Sequence, residues 1–242
     1  MIPVETPIAV MQRSELKYVL TPAQTEFLKK ALTGHVEADP YGLTSIASLY
    51  YDTPDHRLIR ASLCSPPFKE KIRLRSYGVP SMDSPVFLEL KRKSAGTVYK
   101  RRVQTTIPEA SAFFEGKRAI CTDGQIGREI AYFRNFYGAL LPSCMIIYDR
   151  IAYIAPEAGL RLTIDHAPRY RMDDLELTHG MAGTLLLPEE YTILEIKVQE
   201  AMPLWLCKIL WEGRIYKTSF SKYGAAYEAQ RDRAQQKGYL YV

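Results

Sequence analysis

Over residues 68–103 polar and apolar positions alternate in three successive runs, and the polar positions are mostly basic. Lys69, Lys71, Arg73 and Arg75 interleave with Ile72 and Leu74. Side chains alternate across an extended chain, so this pattern predicts a strand with one cationic and one largely apolar face. Residues 86–93 repeat it, with Glu89, Lys91 and Lys93 opposite Val86, Leu88 and Leu90. The third run, 97–103, is less regular; Lys100 and Arg102 share a face, and Gly96 marks the turn before it. An antiparallel sheet with one solvated face alternates in the same way, so a single such strand does not separate a wet surface from a binding face. Recurrence favours the second. Glu15 and Lys17 flank Leu16, Arg161 and Asp165 alternate with Leu160, Leu162 and Ile164, and Glu195 and Lys197 alternate with Leu194, Ile196 and Val198. Turned towards one lumen, these faces form a cationic tunnel holding a few carboxylates. Like charges held that close repel, so the tunnel needs a polyanionic occupant and a divalent metal.

Residues 13–20 read as a first strand. Thr21-Pro22-Ala23-Gln24 then supplies an N-cap, a proline at the first helical position and a capping-box glutamine. The helix it starts runs to about Leu32 and is closed by Gly34. Thr44–Asp52 predicts a strand, Thr53-Pro54-Asp55 a turn, and residues 56–62 a short helix. Further helices are predicted over 108–115, 126–137, 203–211 and 224–236. Residues 144–154 and 159–165 form a hairpin turning near Pro156, with more strands near Leu185 and over 191–199. Antiparallel strand pairs with helices between them read as α+β, and about eight strands allow an antiparallel β-barrel tunnel with surrounding helices. No repeat or linker divides the chain, so one domain over residues 1–242 is expected.

The composition is that of an ordinary globular protein: 242 residues, 47% hydrophobic, with a formal net charge of +5 that favours an acidic partner without naming one. Residues 68–103 hold ten Lys or Arg against three acidic residues, so most of the excess is local. Cys64, Cys121, Cys144 and Cys207 are scattered, with no CxxC and no histidine at ligand spacing, which argues against zinc. Free thiols and the lack of a signal-peptide pattern point to the cytoplasm. No apolar run approaches the ~20 residues of a membrane span. There is no GxxxxGK[ST], no GxGxxG after a strand and no GxSxG. Phosphates bound here would therefore meet side chains: the planar fork of Arg and the mobile charge of Lys. Carboxylates among them would hold Mg²⁺ or Mn²⁺.

Eight short motifs occur in order: Glu15-Leu16-Lys17-Tyr18, Tyr50-Tyr51-Asp52-Thr53, Arg73-Leu74-Arg75, Glu89-Leu90-Lys91, Tyr148-Asp149-Arg150, the Leu160 to Asp165 run LRLTID, Leu194-Glu195-Ile196-Lys197 and Phe220-Ser221-Lys222-Tyr223. Each is short, but together, from about Arg13 to Tyr227, they resemble the VTC domain. This is the polyphosphate polymerase branch of the triphosphate tunnel metalloenzymes, or CYTH-like superfamily. The resemblance implies an enzyme that transfers the γ-phosphate of ATP to a growing inorganic polyphosphate chain with Mn²⁺ or Mg²⁺. It assigns Arg73, Arg75, Lys91, Lys100, Arg150 and Arg161 to the triphosphate or the chain, with Lys17, Ser221 and Lys222 completing the cradle. It makes Glu195 the metal ligand and sets Tyr148 near the nucleotide base.

One departure separates the two activities of the superfamily. Its CYTH-type triphosphatases begin with E-x-E-x-K, whereas this chain has Arg13-Ser14-Glu15-Leu16-Lys17, with an added cation where the first metal-binding Glu would be. Triphosphate hydrolysis therefore becomes the second reading. The eukaryotic polymerases carry this domain in larger chains with membrane-spanning parts, and nothing in this sequence corresponds to those. A single-stranded nucleic-acid barrel is the rival from another class, since Tyr50, Tyr51, Tyr77, Phe87 and Tyr99 interleave with the basic positions. Glu15, Glu89 and Glu195 in the lumen would repel a nucleic-acid backbone, so none is expected. Arg92, Lys93 and Arg101 are expected to be solvated, and Asp149 and Asp165 to orient neighbouring arginines.

Overall fold

The structure is a computed structural model describing residues 14–64, 66–94, 97–119 and 124–236. Arg13, Gly96 and Cys121 lie outside the described residues. In chain order the elements are β1 (Ser14–Leu20), α1 (Pro22–Ala31), β2 (Glu37–Ala38), β3 (Thr44–Asp52), α2 (Arg57–Leu63), β4 (Phe68–Tyr77), β5 (Val86–Ser94) and β6 (Thr97–Thr105). They continue with α3 (Ile107–Phe114), α4 (Gln125–Tyr137), β7 (Leu141–Ala155), β8 (Leu160–Arg171), β9 (Thr184–Leu185), β10 (Thr192–Val198), α5 (Leu204–Glu212) and α6 (Lys222–Gln236). Local chemistry places the boundaries. The Thr21 hydroxyl accepts the Gln24 N–H at 3.3 Å, and the Gln24 side chain accepts the Thr21 N–H at 3.0 Å. Thr106 and Glu109 build the same reciprocal cap on α3.

Eight strands form one antiparallel sheet in the order β1-β10-β8-β7-β3-β4-β5-β6, with the two-residue strands β2 and β9 alongside β7 and β8. The hairpin strands β7 and β8 run past the lengths expected of them: β7 starts earlier, against β3, and β8 continues beyond Asp165 against β7 and the short β9. No hydrogen-bonded ladder closes β1 onto β6 among the described residues. The outer edge of β1 is taken at Lys17 by Thr218, whose N–H donates to the Lys17 carbonyl at 2.7 Å. The sheet nevertheless curls far enough that Lys91 on β5 reaches Glu15 on β1, at 3.4 Å.

Alternation sorts the side chains between the two faces. On the convex side Ile72, Leu74, Leu88 and Leu90 pack under Phe113 of α3 and Phe133 of α4. Leu162, Ile164, Leu194 and Ile196 pack under Leu28 of α1 and Leu206 of α5. Each such residue is fully buried, which stabilises by about 1.5–3 kcal/mol per large aliphatic side chain. The concave side holds a third, smaller cluster in which Tyr50, Ile146 and Tyr148 meet Ile59 of α2 and Tyr223 and Ala226 of α6. Much of the rest of the concave face is charged.

Candidate functional site

The cationic alternation of β4 and β5 points into the concavity. Arg73, Arg75 and Glu89 lie on it, while Ile72, Leu74 and Leu88 lie in the outer core. Glu89 is the centre of the first group. It is 1% exposed, and four cations converge on it: Arg73 at 2.7 Å, Arg102 at 2.5 Å, Lys100 at 2.9 Å and Arg75 at 3.7 Å. Burial opposes the ionised carboxylate, but Arg73, Arg75 and Lys100 outweigh it and hold Glu89 well below the usual carboxylate range. Tyrosine hydroxyls fix the guanidinium groups: Arg73 donates to Tyr50 Oη at 2.8 Å, Arg75 to Tyr148 Oη at 3.2 Å and Arg102 to Tyr77 Oη at 2.8 Å.

A second group surrounds Asp165, which is fully buried on β8. Arg150 binds both its oxygens through two nitrogens at 2.6 and 2.9 Å, and Lys222 shares Oδ2 with it. Burial opposes ionisation of Asp165 too, and Lys222 and Arg150 overcome it, lowering its pKa. Tyr148 sits between the two groups. Its ring, expected beside a base, is 4% exposed and has Arg150 and Lys222 against it, at 4.9 and 4.5 Å. Buried in this way it holds cations and offers no bare face for stacking. A bulge interrupts the β7–β8 register here, between Ile147 and Asp149, a device that re-aims side chains next to binding sites.

The third group joins β1 to β10. Lys17 lies opposite Glu195 in register, and Glu15 opposite Lys197. Glu195 pairs with Lys197 at 2.7 Å; Glu15 pairs with Lys17 at 3.1 Å and with Lys91 at 3.4 Å. Burial again works against Glu195, but Lys197, Lys17 and Arg150 keep its pKa low. The Glu15 carboxyl is lowered as well, against burial and the repulsion of Glu195, by Lys91 and Lys17. Thr163, the β8 partner of Glu195, has a buried hydroxyl without a hydrogen-bond partner among the described residues. Two ionised carboxylates and an unused hydroxyl on one face are hard oxygen donors of the kind Mg²⁺ or Mn²⁺ takes. No group of three or more His, Cys, Asp and Glu is gathered among the described residues, so a metal here would share its shell with substrate.

Two interlocked motifs bring the start of α6 to this face. Asp52 accepts the backbone N–H groups of Thr53, Leu58 and Ile59 and the Tyr223 hydroxyl, at 2.8–3.0 Å. Tyr223 stacks on Tyr50 with centroids 4.4 Å apart. Ser221 caps α6, accepting the Gly224 N–H at 3.2 Å, and also accepts from Lys71 at 3.4 Å.

Of the residues singled out in the sequence, Arg73, Arg75 and Lys100 meet at Glu89, Lys17 and Lys91 at Glu15, and Arg150, Lys222 and Tyr148 at Asp165. Glu195 and Ser221 lie on the same face. Arg161 stands apart, with its side chain 53% exposed and paired with Asp39 at 3.3 Å. The residues left out of that set are Lys71, Arg102 and Glu89, although their strand parity matched that of Arg73 and Lys91. Thr163, in the LRLTID run, carried no signal of its own. The surface expectation needs a correction. Arg92 and Arg101 do face away from the concavity, but each is ion-paired, Arg92 with the buried Glu70 at 2.5 Å and Arg101 with Glu129 at 2.9 Å. Lys93 is exposed as expected.

Comparison with known proteins follows the same outline. A Bacillus halodurans protein described as a candidate adenylate cyclase superimposes with a TM-score of 0.51 at 15% identity, over 87% of this chain and 96% of that one. A candidate adenylyl cyclase of Hippeastrum, described as having dominant triphosphatase activity, gives 0.51 at 18% identity, over 89% and 95%. At such identities the likeness is one of fold. No curated protein matches the chain. The VTC domain matches residues 12–230, the whole of the described sheet and all the residues that meet on its concave face, and the chain belongs to the VTC domain family.

Proposed function

We propose that this protein is a polyphosphate polymerase, taking the γ-phosphoryl group of ATP and adding it to a growing inorganic polyphosphate chain on the basic concave face. The observation that carries the reading is the uneven charge of that face. Glu89 alone is shared by four cations, and Glu15 and Asp165 by two each. A linear polyanion supplies the missing negative charge along the whole trough.

Arg73, Arg75, Lys100 and Arg102 are preorganised by Glu89 and by tyrosine hydroxyls, so they can meet the charge spread over a transferring phosphoryl group with little rearrangement. Electrostatic preorganisation of this kind is worth about 2–4 kcal/mol per donor. Arg150, Lys222, Lys17 and Lys91 extend the cradle, Ser221 adds a hydroxyl, and Arg161 contacts the anion at the rim. Glu195 and Glu15 would hold Mg²⁺ or Mn²⁺, which would supply positive charge against the charge developing in phosphoryl transfer. The acceptor, a terminal phosphate oxygen, is already ionised and needs no base to deprotonate it. That suits a lumen whose carboxylates are ion-paired and held ionised, since such groups are weak bases.

Hydrolysis of a triphosphate is the second reading, favoured by the neighbouring Glu15 and Glu195 carboxylates. Incubation with ATP and Mn²⁺, with ADP, free phosphate and acid-labile polymer measured separately, decides between them. Polymer with matching ADP is expected. ADP and phosphate without polymer would make the protein a triphosphatase, and no turnover would reject both.

A further inference from the structure

Most lumen cations have a carboxylate at hand, but among the described residues Lys71 has none. Lys17 and Lys91 share Glu15, and Arg73 is bound to Glu89. Lys69 gives its ammonium to the Ser62 carbonyl at 3.4 Å. Half-buried on β4 between Lys69 and Arg73, Lys71 stands directly opposite Lys91 on β5. Its one hydrogen bond among the described residues goes to the Ser221 hydroxyl, which accepts at 3.4 Å, and its ammonium lies 5.7 Å from the Tyr223 ring. The charged and titratable groups around it offer no counter-charge. On β1, Lys17 adds a cation, while the charge of Glu15 is taken up by Lys17 and Lys91. On α6, Lys222 is turned to Asp165, and the Tyr223 hydroxyl is given to Asp52.

We propose that Lys71 is a proton-linked anchor, neutral in the empty lumen at mildly alkaline pH and charged when a phosphate chain lies against it. Polyanion binding would then take up a proton from solution. The inference rests on the polyanion reading above and adds a linkage to it. Burial, with the positive charges of Lys17, Lys69, Lys91 and Arg73, brings the Lys71 ammonium down to about 7. An anion alongside reverses that repulsion and raises it. Between the two values the bound state carries one more proton than the free state, so affinity falls as pH rises through that window, by up to about tenfold per pH unit. Below it Lys71 is charged in both states and the dependence disappears. The same uptake removes, on binding, a neutral amine that could otherwise serve as a base towards water.

The test is calorimetric titration with trimetaphosphate, a cyclic anion whose acid groups are all ionised far below the pH range used and so contribute no protons. Titrations of the full chain at pH 6 and pH 8, each in two buffers of different ionisation enthalpy, give the protons taken up. The wild-type protein should take up more protons at pH 8 than at pH 6, with Lys71 contributing close to one; Lys100, brought down to about 8 by burial, adds to the uptake at pH 8. Lys71→Arg, permanently charged, should bind at both pH values and take up close to one proton fewer than wild type at pH 8. Lys71→Met, permanently neutral, should bind several-fold more weakly than wild type at pH 6 and show the same reduced uptake at pH 8. Uptake at pH 8 that is undiminished in both variants, or no uptake in wild type despite binding, would overturn the linkage and leave the polyanion site standing. If neither trimetaphosphate nor linear tripolyphosphate binds the wild-type protein, the polyanion reading falls and the linkage with it.

Discussion

Replacing Glu89 with Gln should weaken the empty protein and leave the phosphate-bound protein nearly as stable as before. The exchange keeps the shape of a side chain that is 1% exposed but removes the one charge shared by four cations. Removing one partner of a buried ion pair costs about 3–5 kcal/mol. Lys100 and Arg102 are 47% and 35% exposed and can turn to water, so they add little. Arg75 and Arg73, at 7% and 21%, carry most of the cost. The net expectation is a loss of about 2–4 kcal/mol, or roughly 5–15 °C in Tm for a chain of this size. Tripolyphosphate supplies negative charge to the same cations, so saturating amounts should raise the Tm of the variant by more than that of wild type. The pH dependence has a definite sign. The folded-state pKa of Glu89 is depressed, so its contribution is full above the unfolded carboxylate range near pH 4.5 and is lost as pH falls below it. The Gln variant should therefore show a flatter acid limb. Scanning calorimetry of both proteins, with and without tripolyphosphate, checks each part. A variant as stable as wild type, or one that gains no extra stability from tripolyphosphate, would refute Glu89 as the resident counter-charge of an anion cradle.

Three further outcomes follow from named contacts. Arg92→Ala should cost about 2–3 kcal/mol in urea denaturation, because it strands Glu70, buried on the convex side with only the Tyr137 hydroxyl at 3.0 Å left to it; a loss under ~0.5 kcal/mol, typical of a surface charge, would contradict the pairing. Thr163→Val removes a buried hydroxyl without a partner, so stability should be unchanged or raised by up to about 1 kcal/mol, while the Mn²⁺ midpoint for binding should rise several-fold; an unshifted midpoint removes Thr163 from the donor set. Between pH 5 and 3 the wild-type protein should lose stability steadily as Asp165 and Glu195, both with lowered pKa values, take up protons first in the unfolded chain; stability that rises on acidification would show that these carboxylates are not ion-paired.

Strand parity and helix caps were legible in the chain because both are local. Two residues of separation put Arg73 and Arg75 on one face whatever lies beyond them, and Thr21 and Gln24 close their cap within a single turn. The order of eight short motifs was legible for the same reason. Parity also places Arg92 away from Lys91, but it cannot say whether the far face is wet, and there Glu70 and Tyr137 make it an ion-pair site. Tyr148 shows the same limit. Its place near the site came from the resemblance alone, and its burial under Arg150 and Lys222 depends on α6, whose start lies 74 residues further along the chain.

By itself, then, the sequence determined an α+β chain with antiparallel strands, one basic face per strand, and carboxylates among the cations. Tertiary structure alone decided which cation each carboxylate receives. Lys91 reaches Glu15 across 76 residues, and Lys71 reaches Ser221 across 150. Those meetings depend on how far the sheet curls and where α6 begins, and both are set by packing on the convex face and by the Asp52–Tyr223 lock. Charge interactions act through space and fall off within a few ångströms of solvent. Spacing along the chain therefore cannot reveal which ammonium group is left without a counter-charge; only the folded sheet leaves Lys71 in that position.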